Sequence, residues 1–141
     1  CLVADLGCGS GVLGLAALCL GARAVLAADT DSLAVRATGD NRDLNRLPAE
    51  ALQVDLGSVE TLQAQLNGRR ADLLLCNILA PVIEALAPGF DDLLAADGRG
   101  LLSGLLVDQA PRLRQVLAEL GWQITAEASQ GRWGLLEIRR R

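Results

Sequence analysis

Three acids and an asparagine stand where they could do chemistry. Asp5, Asp29, Asp55 and Asn77 each fall at or near the end of a short apolar run, and a glycine-rich turn follows the first of them. In Val3-Ala4-Asp5-Leu6-Gly7-Cys8-Gly9-Ser10-Gly11 an apolar strand runs into an acid, then into glycines, then into the helix-forming Val12-Leu13-Gly14-Leu15-Ala16-Ala17-Leu18. A strand feeding such a turn and a helix N-terminus is a nucleotide-binding device, because glycines let backbone N–H groups approach a ligand that a Cβ would hold off. Asp29 follows Gly7 at about the 20-residue distance at which an acid accepts ribose hydroxyls; it could instead cap the helix that follows. Asp55 could face an adenine amino group or cap the next helix. Asp5 could be a buried acid held by turn amides, or meet a positively charged part of the ligand. Asn77 could orient a reacting group or be a plain strand-end turn residue.

Composition narrows the chemistry. The chain has no His, so the commonest general base and metal ligand is missing. Cys1, Cys8, Cys19 and Cys76 form no CxxC pair, and no metal site is expected. They read as small hydrophobes in a reducing cytosol, so a cytoplasmic protein is expected. The net charge of −4 without basic blocks, together with one Phe, two Trp and no Tyr, argues against direct binding of nucleic acid. No uncharged apolar run is long enough to span a membrane.

The elements that must position these residues alternate. Strands are expected at Leu2–Leu6, Arg23–Ala28, Ala51–Val54, Asp72–Ile78 and Leu101–Leu106, the last interrupted by Ser103-Gly104. Helices are expected after the glycine turn to Leu20, from Asp31 or Ser32 to about Asn45, at Ser58–Leu66, at Val82–Ala87 resuming as Phe90–Ala95, and at Asp108–Leu120. Asp97-Gly98-Arg99-Gly100 reads as a turn. Trp122–Ala128 and Trp133–Ile138, around Gln130-Gly131, read as a closing antiparallel hairpin. The pattern predicts an α/β fold: one Rossmann-like, doubly wound, mostly parallel seven-stranded sheet with helices on both faces, spanning 1–141 as one domain. The ligand of such a sheet lies at the carboxyl ends of its strands, where Asp5, Asp29, Asp55 and Asn77 fall.

Two ligands compete for the turn. Gly9-Ser10-Gly11-Val12-Leu13-Gly14 satisfies GxGxxG, the dinucleotide pattern. Asp5, however, would repel a pyrophosphate and favour a cation. S-adenosyl-L-methionine, a nucleoside with a sulfonium and an ammonium and no phosphate, suits the acids better.

Asp5-Leu6-Gly7-Cys8-Gly9-Ser10-Gly11 resembles the first motif of the seven-stranded S-adenosylmethionine-dependent methyltransferases. Extended through Val12-Leu13, and joined by Ala16-Ala17-Leu18, Leu20-Gly21-Ala22, Asp29-Thr30-Asp31, Asn77-Ile78-Leu79-Ala80 and Leu102-Ser103-Gly104-Leu105-Leu106, it resembles the catalytic domain of the PrmA family. That family methylates lysine and N-terminal amines of the eleventh protein of the large ribosomal subunit. The likeness runs over nearly the whole chain. It implies that Gly7 and Asp29 hold the cofactor; Asp5, Gly9 and Asp55 are expected around it from their turn and strand-end positions. It places Asn77 near both cofactor and target amine, so that alignment of a neutral amine supplies the catalysis. It also implies a monomer that takes a ribosomal protein as substrate through an N-terminal domain ahead of Cys1, and a threonine-bearing segment there that touches the cofactor. Thr30-Asp31-Ser32 lacks the proline frequent in the family after the second acid. The residues alone leave three other readings: a methyltransferase for another substrate, an NAD-dependent oxidoreductase, and a binding module without catalysis.

Overall fold

The computed structural model describes residues 1–141. Its first half alternates strand and helix: β1 (Leu2–Leu6), α1 (Val12–Cys19), β2 (Ala24–Asp29), α2 (Ser32–Leu44), β3 (Leu52–Leu56) and α3 (Val59–Leu66). The second half holds β4 (Ala71–Asn77), α4 (Ala80–Leu86), a 3-10 turn at Ala87–Asp92, β5 (Leu94–Leu106), a second 3-10 turn at Val107–Gln109, α5 (Ala110–Glu119), β6 (Trp122–Gln130) and β7 (Trp133–Arg140). The seven strands form one sheet in the order β3-β2-β1-β4-β5-β7-β6. β1 to β5 run parallel, and β7 enters antiparallel between β5 and β6. The chain winds outward from β1 to β3, then returns to lay β4 on the other side of β1. A crevice opens at that reversal, at the carboxyl ends of β1 and β4.

Strand composition explains the layering. All five residues of β1 are buried, as a parallel strand covered on both faces requires. Leu2, Ala4 and Leu6 join Leu74, Cys76 and Leu102 in a large core that Leu62 and Leu66 of α3, Ile83 of α4, and Leu113 and Leu117 of α5 complete. Val3 points to the other face, where Val25, Ala27, Leu52 and Leu75 pack against Leu13, Ala17 and Leu18 of α1. Asp31 caps α2 as expected, its Oδ1 accepting the Leu33 N–H at 2.9 Å.

One expected element is overturned. Leu94-Ala95-Ala96 does not continue a helix; it opens β5, and Asp97-Gly98-Arg99-Gly100 lies within that strand instead of in a turn. Leu-Leu-Ala-Ala has good helix propensity, but tertiary pairing overrides it. The Ala71 N–H donates to the Leu93 carbonyl at 2.8 Å, and Leu93 and Leu94 are buried. The register against β4 then slips from Ala71↔Leu94 to Leu73↔Arg99, a bulge that absorbs the extra residues.

Candidate functional site

The crevice at the reversal is built on the glycine turn. Gly7 has φ +77°, and a Cβ there would fall 2.5 Å from Ile78 Cγ2, so the β1 turn and the β4 end touch only because residue 7 is glycine. Gly9, at φ +56°, has open space where its Cβ would be. Four of the five N–H groups from Gly7 to Gly11 are already engaged. Gly7 and Cys8 donate to the Ala28 carbonyl at 2.9 and 3.1 Å, and Gly11 donates to Cys8 at 2.9 Å. Gly9 donates to Asp29 Oδ2 at 3.0 Å. With four amides engaged inside the protein, the glycines here mainly shape the chain and clear space.

Asp29 sits at the centre. Its Oδ2 takes the Gly9 amide and its Oδ1 takes the Asp31 amide at 2.9 Å, so the carboxylate ties the β1 turn to the α2 cap. A carboxylate has about four acceptor positions, and two remain for ligand hydroxyls. Asp29 lines a cavity of about 110 Å³ with Leu6, Gly7, Thr30, Gly57, Ser58 and Ile78. Its lining holds one ionisable side chain, the acid itself, and no cation.

Asp5 takes the buried alternative. It is 1% exposed, on the face of β1 beneath α1, with Oδ2 unpartnered and 3.5 Å from where a Cβ on Gly14 would lie. It does not line the cleft. Burial, reinforced by the neighbouring charge of Asp29, pushes its carboxyl from 3.8 up to about 7, against the pull of the Gly14 amide. The cation-favouring charge at the surface is therefore Asp29.

Asp55 also departs from expectation. It neither lines the Asp29 cavity nor caps α3: Gln53 Nε2 and Gln65 Nε2 donate to its Oδ2 at 3.2 and 2.8 Å in a separate groove. Gln65 also donates to the Ala27 carbonyl at 3.0 Å, locking α3 onto β2. The cavity is closed on that side by Gly57 and Ser58, which the sequence did not single out.

Asn77 closes β4 opposite Ser103 of β5, and the Ile78 N–H donates to the Ser103 carbonyl at 3.1 Å. Gly104, at φ +82°, leaves the seat for it: a Cβ on residue 104 would lie 2.8 Å from Asn77 Oδ1 and 2.7 Å from the Ile78 carbonyl oxygen. Asn77 and Gly104 line the largest cavity, about 760 Å³, with Ser103, Ser129, Gln130 and Trp133. No charged side chain lines it. Ile78 belongs to both cavities, so the Asp29 and Asn77 regions adjoin. No metal-binding cluster is present.

The model of the family "Ribosomal protein L11 methyltransferase (PrmA)" matches residues 1–141. The chain belongs to that family. A PrmA-family relative, the ribosomal protein L11 methyltransferase of Parasynechococcus marenigrum (strain WH8102), is 79% identical over 140 residues, covering 99% of this chain and 48% of its own length. The Prochlorococcus marinus (strain MIT 9313) relative of the same name is 66% identical over 139 residues, covering 99% of this chain and 46% of its own length. This chain thus spans about half the length of the curated relatives it matches. Among solved structures, a ribosomal protein L11 methylase from Lactobacillus delbrueckii subsp. bulgaricus superposes with TM-score 0.86 at 38% identity, covering 99% of this chain and 69% of that one. The fold recurs in a magnesium protoporphyrin IX methyltransferase from Synechocystis PCC 6803, TM-score 0.77 at 21% identity, covering 99% and 70% of the two chains.

Proposed function

We infer that the crevice at the carboxyl ends of β1 and β4 binds S-adenosylmethionine with its ribose at Asp29, and that the adjoining Asn77 cavity receives an amine of a large-subunit ribosomal protein, its lysine side chains and N-terminus included. One observation carries the ligand class. Asp29 is the sole ionisable group of a cleft beside a glycine turn that has four of its five amides spent within the protein, which suits a phosphate-free nucleoside bearing positive charge and opposes a pyrophosphate. The fit extends to the backbone: Gly9 leaves open space where its Cβ would be, and Gly7 lets Ile78 close against the turn. The names of the PrmA-family relatives support L11 as the substrate.

Bound there, S-adenosylmethionine supplies an electrophilic methyl on a sulfonium. The chain's own residues bind and orient. Asp29 accepts ribose hydroxyls while keeping its two amides. Asn77, seated over Gly104, presents its carbonyl oxygen as acceptor to an amine N–H and so aligns the nitrogen lone pair. The amine arrives as a cation and must lose a proton before it attacks. The uncharged lining of the larger cavity disfavours its charged form, and water takes the proton. Positioning supplies the rate. The reaction belongs to the cytoplasm, where its substrate is made, and no helix is long and apolar enough to cross a membrane.

Thermal denaturation with ligands tests the binding step. S-adenosylhomocysteine at 100 times its Kd is expected to stabilise the protein by about 2.7 kcal/mol, whereas NAD gives no shift. Asp29→Ala abolishes the response. A shift with NAD alone identifies an oxidoreductase instead.

A further inference from the structure

α2 has one buried residue, and it is polar: Thr38 is 0% exposed. Its hydroxyl donates to the Gly9 carbonyl at 2.9 Å. That commits its only proton, so the Cys8 thiol, 3.3 Å away, is the donor to Thr38 Oγ1. Burial pushes the Cys8 thiol up to about 11, so it keeps its proton at neutral pH and the chain from Cys8 S–H through Thr38 O–H to Gly9 C=O has one direction. The same side chain meets Gly11: a Cβ there would lie 2.9 Å from Thr38 Cγ2. One turn later Asn41 Nδ2 donates to the Ser10 carbonyl at 2.8 Å. Two α2 residues thus grip the back of the turn at four consecutive positions, Cys8 to Gly11. Gly9 is held on both sides, its C=O by Thr38 and its N–H by Asp29.

We propose that Thr38, seconded by Asn41, is a positioning residue for the cofactor: by holding the carbonyls of Gly9 and Ser10 from behind, it sets the turn and, through Gly9, the orientation of Asp29. This rests on the S-adenosylmethionine reading of the cleft. Thr38 touches no ligand. Its hydroxyl fixes which way the peptide planes between Cys8 and Ser10 face, while its methyl holds α2 against Gly11. A valine at 38 keeps the volume and loses the proton donor. It leaves the Gly9 carbonyl and the Cys8 thiol without their partner, and the turn rotates to recover those bonds.

The test uses the full-length chain, with S-adenosylhomocysteine binding by calorimetry and steady-state methyl transfer. Thr38→Val is expected to weaken S-adenosylhomocysteine binding about tenfold, the worth of one lost buried hydrogen bond. KM for S-adenosylmethionine rises to match, and kcat stays within about twofold of wild type because Asn77 and its seat are untouched. Thr38→Ser restores the affinity, having the hydroxyl without the methyl. Asn41→Ala, at a half-buried position outside the apolar core, weakens binding by about threefold and keeps the proposal testable if Thr38→Val does not fold. Thr38→Val or Asn41→Ala proteins that melt lower yet bind as wild type overturn the positioning role and leave a packing role. Failure of the wild type to bind S-adenosylhomocysteine overturns the cofactor reading first, and this role with it.

Discussion

Asp5 and Asp29 lie at the ends of adjacent strands and behave oppositely because one is buried and the other reaches the cleft. Asp5, protonated up to about pH 7, favours the folded state in its neutral form. Its unfolded counterpart ionises near 3.8, so between about 3.8 and about 7 the folded state holds more protons and stability falls as pH rises, by about 4 kcal/mol at full effect. Asp5→Asn removes that slope. Urea unfolding from pH 3.5 to 8 is expected to show a wild-type-minus-variant difference that grows more negative across this window; a flat difference contradicts the burial of an ionisable Asp5. At Gly104 the concern is steric. Gly104→Ala forces a Cβ at 2.7–2.8 Å onto Ile78 and Asn77 at φ +82°. Displacing Asn77 by about 1 Å is expected to cost about 100-fold in kcat with little change in S-adenosylhomocysteine affinity. Equal losses of affinity and rate in that variant would mean that Asn77 is not separable from the cofactor cleft. The placement of Asp29, Gly7 and Asn77 at the carboxyl ends of the strands, lining the two cavities, was legible from residue type and strand-end position. For Asp5 the sequence left a buried acid and a ligand-facing one both open, because strand alternation does not say which helix covers a strand's end. Thr38 and Asn41 were illegible: an i, i+3 polar pair on a helix reads as solvated surface unless the turn it grips is in view.

At the scale of elements, alternation of apolar strands with helices was enough to specify β1 to β4, α1 to α3 and the closing hairpin to within a few residues. The start of β5 was not, because Leu94-Ala95-Ala96 forms a strand only when Ala71 is there to pair with it. That region is secured from far along the chain. Arg140 of β7 donates to the Asp91 and Leu94 carbonyls at 2.9 and 2.6 Å, pairs with the Asp91 carboxylate, and lies 5.0 Å over the Trp122 ring. Arg140→Ala is expected to cost about 2 kcal/mol, read as a lower urea midpoint with unchanged slope. Arg140→Lys recovers only part of it, since one ammonium cannot serve the two carbonyls, the Asp91 carboxylate and the Trp122 face as Nη2, Nη1 and the guanidinium plane do together. A loss below about 0.5 kcal/mol would assign the β5 start to local pairing alone.

Across the whole molecule, the reversal of strand order brings the Asp29 cleft and the uncharged Asn77 cavity side by side, joined at Ile78. Neither region carries the basic lining that a phosphate or a nucleic acid would need, in keeping with a net charge of −4. The charge argument was available from composition; the adjacency of the two cavities was not, because it depends on β4 landing beside β1. Transfer of labelled methyl from S-adenosylmethionine to purified ribosomal protein L11 by the full-length chain, with Asn77→Ala in parallel, tests the central claim most directly. Wild type is expected to leave methylated amines on the ribosomal protein, and Asn77→Ala to transfer about 100-fold more slowly with S-adenosylhomocysteine affinity retained. No transfer by a wild-type protein that binds S-adenosylhomocysteine, or transfer undiminished by Asn77→Ala, would contradict it.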